Sequence, residues 1–353
     1  MKAQLCCLVL LLATVAANAA GRTEIPNAAQ PQLCVAADGR VWLAYGQAGA
    51  VFVARSDDGG ATFGTANKVA SPSSLALGMR RGPRIAAQGD RVTVTLIGDE
   101  LFAVRSMDGG KTWDEPVTIN EVPSSAREGL HDLGCAPDGS LFVTWLDMRS
   151  GAMELWGAAS SDGGRTWSKN EQVYRSSDKS ICECCHPTAL FDADGNLAVM
   201  WRNAVEGSRD MWMTTRAKGA MQFTAARKLG EGTWKLNGCP MDGGKIVALG
   251  AGKFASVWQR AGEVFFTPAN GPEIQLGKGK QPVAVVNGTG PLILWQEGAD
   301  LVLTRAPGAT PTKLASDARF AVLVSMGDRR GTLVAYEQGL TKEKQPGVVI
   351  ERL

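Results

Sequence analysis

Three copies of one short pattern recur along this chain at an interval that only an array of like units explains. They are Ser56-Asp57-Asp58-Gly59-Gly60-Ala61-Thr62-Phe63, Ser106-Met107-Asp108-Gly109-Gly110-Lys111-Thr112-Trp113 and Ser160-Ser161-Asp162-Gly163-Gly164-Arg165-Thr166-Trp167. All read S-x-D-G-G-x-T-aromatic, and their starts lie 50 and 54 residues apart. A repeat of that period signals a propeller or solenoid rather than an irregular fold. The residue types have a turn logic. The aspartate accepts from nearby backbone N–H groups, and the glycine pair supplies positive φ. Serine and threonine hydroxyls tie the limbs together. The closing ring pins the turn to a neighbouring sheet. The spacing and terminal Glu of an EF-hand are absent, so a Ca²⁺ loop is not the expected reading.

The pattern resembles the Asp box, or BNR repeat, of the sialidase-like β-propellers. A fourth copy at Thr215 to Phe223 is degenerate. The resemblance implies a scaffold and not a reaction, because function lives in the site and not in the fold.

Between the repeats the grammar is constant. Tight turns at Asp38-Gly39, Gly89-Asp90, Asp138-Gly139, Asp194-Gly195, Gly250-Ala251-Gly252, Asn287-Gly288 and Gly327-Asp328 each join two apolar alternations, a strong hairpin signal. The second strands carry Trp42, Thr95, Trp145, Trp201, Trp258, Trp295 and Tyr336 at what read as matching places. Seven units follow, starting near Pro31, Pro83, His131, Pro187, Pro240, Pro282 and Arg319. The expectation is therefore an all-β chain forming one propeller of seven four-stranded antiparallel blades; the sialidase type has six. The last unit ends on its third strand, Val348 to Arg352. Thr23 to Asn27 supplies the missing fourth, closing the ring and removing two exposed edges.

The N-terminus reads as an export signal over residues 1–19, with Lys2, an apolar run from Leu5 to Val15, and an Ala17-Asn18-Ala19 cleavage site. Residues 20–353 are then the propeller, expected in a periplasm or outside the cell as a monomer without a membrane span. A formal net charge of +2 gives no footprint for nucleic acid.

Strand alternation places the D-G turns and the repeats on one side of the disc, the turn face. The links between blades and the second-to-third-strand loops fall on the other, the loop face. That face gathers His131, Asp132, Asp147, Arg149, Arg209 and Asp210, which are the expected ligand-binding residues for a glycan, peptide or other small ligand. It also gathers Cys182-Glu183-Cys184-Cys185-His186. Of eight cysteines, Cys6 and Cys7 fall in the leader. Among the other six, Cys182, Cys184, Cys185, Cys239 and Cys135 can form disulfides that staple the blade-start segments. Cys184 and Cys185 are poor partners for each other, their Cα atoms being about 3.8 Å apart. Alternatively the thiolates, with His186, form a soft ligand set for Zn or Cu, although no paired zinc knuckles exist.

The family resemblance further implies what a sialidase would need: three arginines for a substrate carboxylate, an acid, and a tyrosine nucleophile beside a glutamate. Arg84, Arg202 and Arg260 stand for the arginines and Tyr336 with Glu337 for the nucleophile pair, Tyr45 being the counterpart of Tyr336 in the first unit; Asp99 or Asp147 stands for the acid. Arg84 follows the first repeat where the family's arginine precedes them all, and Ala86 replaces the expected proline. Three readings stay open: a ligand-binding propeller centred on Cys182 to His186, an exo-sialidase or related glycoside hydrolase, and a non-catalytic extracellular scaffold.

Overall fold

In the computed structural model, residues 21–288, 290–327, 330–339 and 346–353 are described in full, and 16–18 by backbone alone. Seven antiparallel sheets make up the fold, and the described residues contain no helix. The first strands of the seven blades are Ala28–Val35, Arg84–Gln88, His131–Cys135, Thr188–Phe191, Lys245–Gly250, Lys280–Asn287 and Ala318–Ser325. Each runs from the loop face to the turn face and lines a central channel. Blade 1 shows the plan: Ala28–Val35 pairs with Val41–Gln47, then Ala50–Ser56, then Asn67–Ala70 at the rim.

Blade 7 closes the ring as expected. Its first three strands are Ala318–Ser325, Thr332–Gln338 and Gly347–Arg352, and the fourth is Arg22–Pro26 from the other end of the chain. The register pairs Arg22 with Glu351 and Ile25 with Val348. Ala16–Asn18 adds a short fifth strand at that edge. The rest of the expected leader and the Asp328 half of the Gly327-Asp328 turn lie outside the described residues. Closure rests on Arg22–Pro26, so cleavage after residue 19 would leave the ring intact.

The repeats act as clasps between blades. In the first, Ser56 Oγ donates to Asp58 Oδ1 at 2.7 Å and accepts from the Gly60 N–H at 2.7 Å. Asp58 also accepts from the N–H and hydroxyl of Thr62, at 2.9 and 2.5 Å. The second and third copies repeat this pattern around Asp108 and Asp162. Burial opposes ionisation of Asp58 and Asp162, but these donors outweigh it and hold both carboxyls down to about 2. The second glycine of each copy, at φ 87°, 83° and 84°, lies on the second strand of the preceding blade. A Cβ on Gly110 would come within 2.8 Å of the Trp42 ring, and one on Gly164 within 2.8 Å of Thr93; on Gly60 it would strike Leu333. Only glycine satisfies both the backbone and the space.

One sequence alignment needs correcting. Trp145, Trp201 and Tyr336 are each the fifth residue of their second strand, and so is Tyr45 in blade 1; Trp42 is the second residue of that strand. An odd offset puts Trp42 on the opposite side of the sheet. Tyr45 packs back on blade 7 against Leu333 and Ala335, as Trp145 packs back on Ile97 and Leu101 of blade 2. Trp42 instead packs forward on Val92 and Val94. The aromatic at the fifth position is the blade-to-blade plug, burying on the order of 150–250 Å² each.

Candidate functional site: the loop-face end of the channel and its thiol cluster

The channel encloses about 450 Å³. Its walls are aliphatic, from residues such as Leu133, Ile246, Val283 and Leu323, and among the described residues no Phe, Tyr or Trp lines it. Its loop-face end is charged. Arg80, in the link between blades 1 and 2, reaches across the ring. Its Nε donates to Gln281 Oε1 at 2.7 Å, one terminal nitrogen to the Ala321 carbonyl at 2.7 Å, and the other to the Gln281 carbonyl at 3.0 Å. Beside it, Arg84 Nε lies 3.3 Å from Asp132 Oδ1, and Lys245 Nζ lies 3.5 Å from Asp132 Oδ2. The same Asp132 oxygen accepts the Ala189 N–H at 3.0 Å. Three cations thus line the channel beside one wall carboxylate.

The electrostatics follow from burial and this positive surplus. Burial pulls Arg80 down to about 10 against the opposing fields of Asp242 and Glu337. His186 is held well below its usual range, first by burial and then by Arg80 and Arg84. It is therefore neutral, and its Nε2–H donates to the Gly244 carbonyl at 3.1 Å. A Cβ on Gly243 would strike the His186 carbonyl oxygen, so the Gly243-Gly244 pair is what lets this segment close on His186. Asp242, fully buried, accepts the Gln281 N–H at 2.6 Å with Oδ2, while among the described residues Oδ1 has no hydrogen-bond partner. Burial raises its carboxyl.

The cysteines split as one staple and one pair. Cys184 and Cys239 form a disulfide joining the starts of blades 4 and 5. Cys182 and Cys185 are free and buried, with sulfurs 3.3 Å apart. The Cys185 thiol, the Cys184 N–H and the charges of Arg202 and Arg209 bring Cys182 down to about 7 against burial, while burial and its neighbour push Cys185 up. Cys135 is a correction. It ends its strand, about 13 Å of extended chain from His131, on the turn face and out of reach of the cluster. Burial raises its thiol to about 11 and that of Cys34, which feels its charge, to about 12.

The sialidase constellation does not assemble. Arg202 is 1% exposed and spends its guanidinium on the carbonyls of Asp242, Arg209 and Gln259, at 2.9, 2.6 and 2.8 Å. Arg260 is paired with Glu273 at 2.5 Å and lies 4.2 Å over the Phe265 ring, on the flank of blade 5. Arg84 alone lines the channel. Tyr336 is buried, donates to Glu351 at 2.9 Å and accepts from Arg22 at 3.2 Å. Burial and then Glu351 raise its hydroxyl, the reverse of what a nucleophile needs. Glu337 cannot reach it, because neighbours on a strand point to opposite sides. It accepts instead from the Gln30 N–H and side-chain amide, both at 2.9 Å, and pairs with Arg319 at 3.0 Å.

Of the expected ligand contacts, Asp132 lines the channel. His131 starts its strand on the loop face as expected but is fully buried, with Nε2 3.0 Å from Thr95 Oγ1. Asp147 is locked by Ser125, Trp145 and Arg149, at 2.7, 2.7 and 2.8 Å. These donors lower its carboxyl against burial, which does not suit an acid. Arg149 lies 3.7 Å over Trp156. Asp210 accepts the Trp234 N–H at 2.8 Å, and the Arg209 side chain reaches toward the Gly238 carbonyl. Asp99 is exposed in the loop between the second and third strands of blade 2. Sequence reasoning missed Asp242, Lys245 and Gln281. A signal was present: Asp242-Gly243-Gly244 has the D-G-G of the repeats, but at a blade start, out of phase with them.

No family model matches the chain, and no curated protein matches it. Solved structures share the fold. YCF48 bound to D1 peptide has a TM-score of 0.58 at 11% identity, covering 96% of this chain and 100% of that one. A PL25 ulvan lyase bound to a GlcA–Rha3S saccharide has 0.57 at 12%, covering 92% and 93%. A mutant of the Aleuria aurantia lectin in complex with α-methyl-L-fucoside has 0.52 at 10%, covering 82% and 95%. At these identities the likeness is one of fold.

Proposed function

We propose that this protein is an exported propeller of the sialidase-like Asp-box superfamily that binds a small organic acid, an acidic saccharide above all, at the charged end of its channel. One observation carries the reading: Arg80, Arg84 and Lys245 line the channel against the single carboxylate of Asp132. A buried positive surplus is relieved by an anion, and a carboxylate or sulfate matches it. Lys245 is the accessible donor, since its side chain is 35% exposed and its one ion pair among the described residues is the 3.5 Å approach to Asp132. A volume near 450 Å³ suits a mono- or disaccharide. The aliphatic walls take the C–H face of the ring. The saccharides bound by the ulvan lyase and the lectin on the same fold favour a sugar acid. The three D-G-G repeats and the A-x-A leader support the superfamily and export readings.

Calorimetric titration with glucuronate, N-acetylneuraminate and hexanoate tests this. Saturable binding of a sugar acid, weakened at least about tenfold in Lys245→Ala, which removes roughly one charge-assisted hydrogen bond, is the expected result. Failure of all three acids to bind, or binding unchanged in Lys245→Ala, overturns it. Preference for hexanoate keeps the site but overturns the sugar.

A further inference from the structure

Three sulfurs, those of Cys182, Cys184 and Cys185, lie within 4.8 Å of one another. The disulfide to Cys239 occupies Cys184. What remains is a C-x-x-C dithiol, Cys182 and Cys185, 3% and 1% exposed. Met241, partly buried, packs against the cluster of Cys182, Cys184 and Cys185. Cys239 and Met241 are two residues apart, so the disulfide that occupies Cys184 also anchors the segment that brings Met241 to the cluster. Met241 is held at φ 55°, a conformation that a long side chain adopts only when its surroundings impose it.

We infer that Cys182, Cys185 and Met241 form a binding site for a single Cu(I) ion. Two thiolates and a thioether are a soft ligand set, which selects Cu(I). A structural zinc ion asks for four ligands. The fourth is missing here, because Cys184 is bonded to Cys239 and, among the described residues, the His186 ring nitrogens are not among the ligand atoms that lie within 4.8 Å of one another. Burial excludes the water that would fill a zinc shell. Two thiolates around a monovalent ion leave one negative charge. Arg202 and Arg209, whose fields act on Cys182, offset it. The Asp242 N–H, 3.3 Å from the Cys185 sulfur, is the outer hydrogen bond that orients that ligand. Binding exchanges two thiol protons, released to solvent, for two copper–thiolate bonds, and the Met241 thioether adds a third Cu–S bond without releasing a proton; no oxidation state changes. The site is separate from the acid-binding end of the channel and does not depend on it.

The test uses full-length mature protein, purified without an affinity tag, disulfide intact, under anaerobic conditions. Titration with Cu(I) against a chromophoric Cu(I) chelator should give one tightly held ion per chain and a sulfur-to-copper charge-transfer band in the near ultraviolet. Cys182→Ser and Cys185→Ser should each abolish both. Met241→Leu, which keeps the packing, should loosen Cu(I) severalfold. Cys34→Ser with Cys135→Ser should change nothing. Thermal melting of each variant separates loss of the site from loss of the fold. The inference is overturned by no Cu(I) uptake, by uptake that survives loss of both thiols, by Zn(II) displacing the bound Cu(I), or by isolation of the protein with Cys182 and Cys185 joined as a second disulfide.

Discussion

Arg80 and Gln281, 201 residues apart in the chain, are joined by two hydrogen bonds across the loop-face end of the ring. Gln281 in turn holds Asp242, whose backbone carbonyl accepts from Arg202. The link after blade 1, the start of blade 6 and the second strand of blade 4 are therefore one buried polar unit. Removing Arg80 would strand the carbonyls of Gln281 and Ala321. Arg80→Met should cost on the order of 2–4 kcal/mol, read as a lower denaturant midpoint with an unchanged slope. Wild-type stability in that variant would mean that water substitutes for the guanidinium.

The clasps make the fold acid-sensitive in a defined window. Asp58 and Asp162 have folded values near 2 against an ordinary 3.8, and Asp108 is lower still. A depressed carboxyl stabilises fully above its unfolded value and loses that contribution as pH falls through the folded one. Stability should hold down to about pH 4 and fall between pH 4 and 2. Replacing all three by asparagine should lower stability at neutral pH and flatten the decline. Denaturant midpoints at pH 7, 4 and 2 measure both, and an equally steep decline in the triple variant would place the acid response elsewhere.

The fold was legible because its signals are local. A D-G-G corner, a D-G hairpin and a period-2 alternation each need only a few consecutive residues, and the count of seven units followed. Closure by the N-terminal strand, expected at Thr23 to Asn27 and found at Arg22–Pro26, was legible because an unpaired edge demands a partner. The site was less so. Trp42 and Tyr45 are three residues apart on one strand, and composition could not say which filled the plug position. Arg202 and Arg84 look alike in sequence. One serves three carbonyls and the other a channel carboxylate, and only long-range packing distinguishes them. The Cys184–Cys239 staple was among the expected pairings. The exclusion of Cys135 needed the length and direction of its strand.

Tyr336 offers a direct check on the missing sialidase chemistry. Its hydroxyl serves Glu351 and Arg22 on the outer strands of blade 7. Tyr336→Phe should lower stability by on the order of 1–2 kcal/mol and leave acid binding in the channel untouched. A variant of normal stability that lost ligand binding or a hydrolytic activity would reinstate the tyrosine as a site residue.

The Cys184–Cys239 disulfide closes a loop across 55 residues that includes all of blade 4. In the chain-entropy account such a crosslink stabilises by about 4 kcal/mol at most. Cys184→Ser with Cys239→Ser should therefore lower the melting temperature by several degrees, and a strong reductant should do the same to the wild type. The double variant also removes the anchor of the segment carrying Met241 and Asp242. That segment closes on His186 through Gly243 and Gly244 and leads into Lys245, so the loss should spread to the channel. Hydrogen exchange should rise in residues 237–245 and at Gln281, which leans on Asp242. Protection unchanged there would mean that the Gly243-Gly244 contact with His186, and not the staple, holds this side of the ring together.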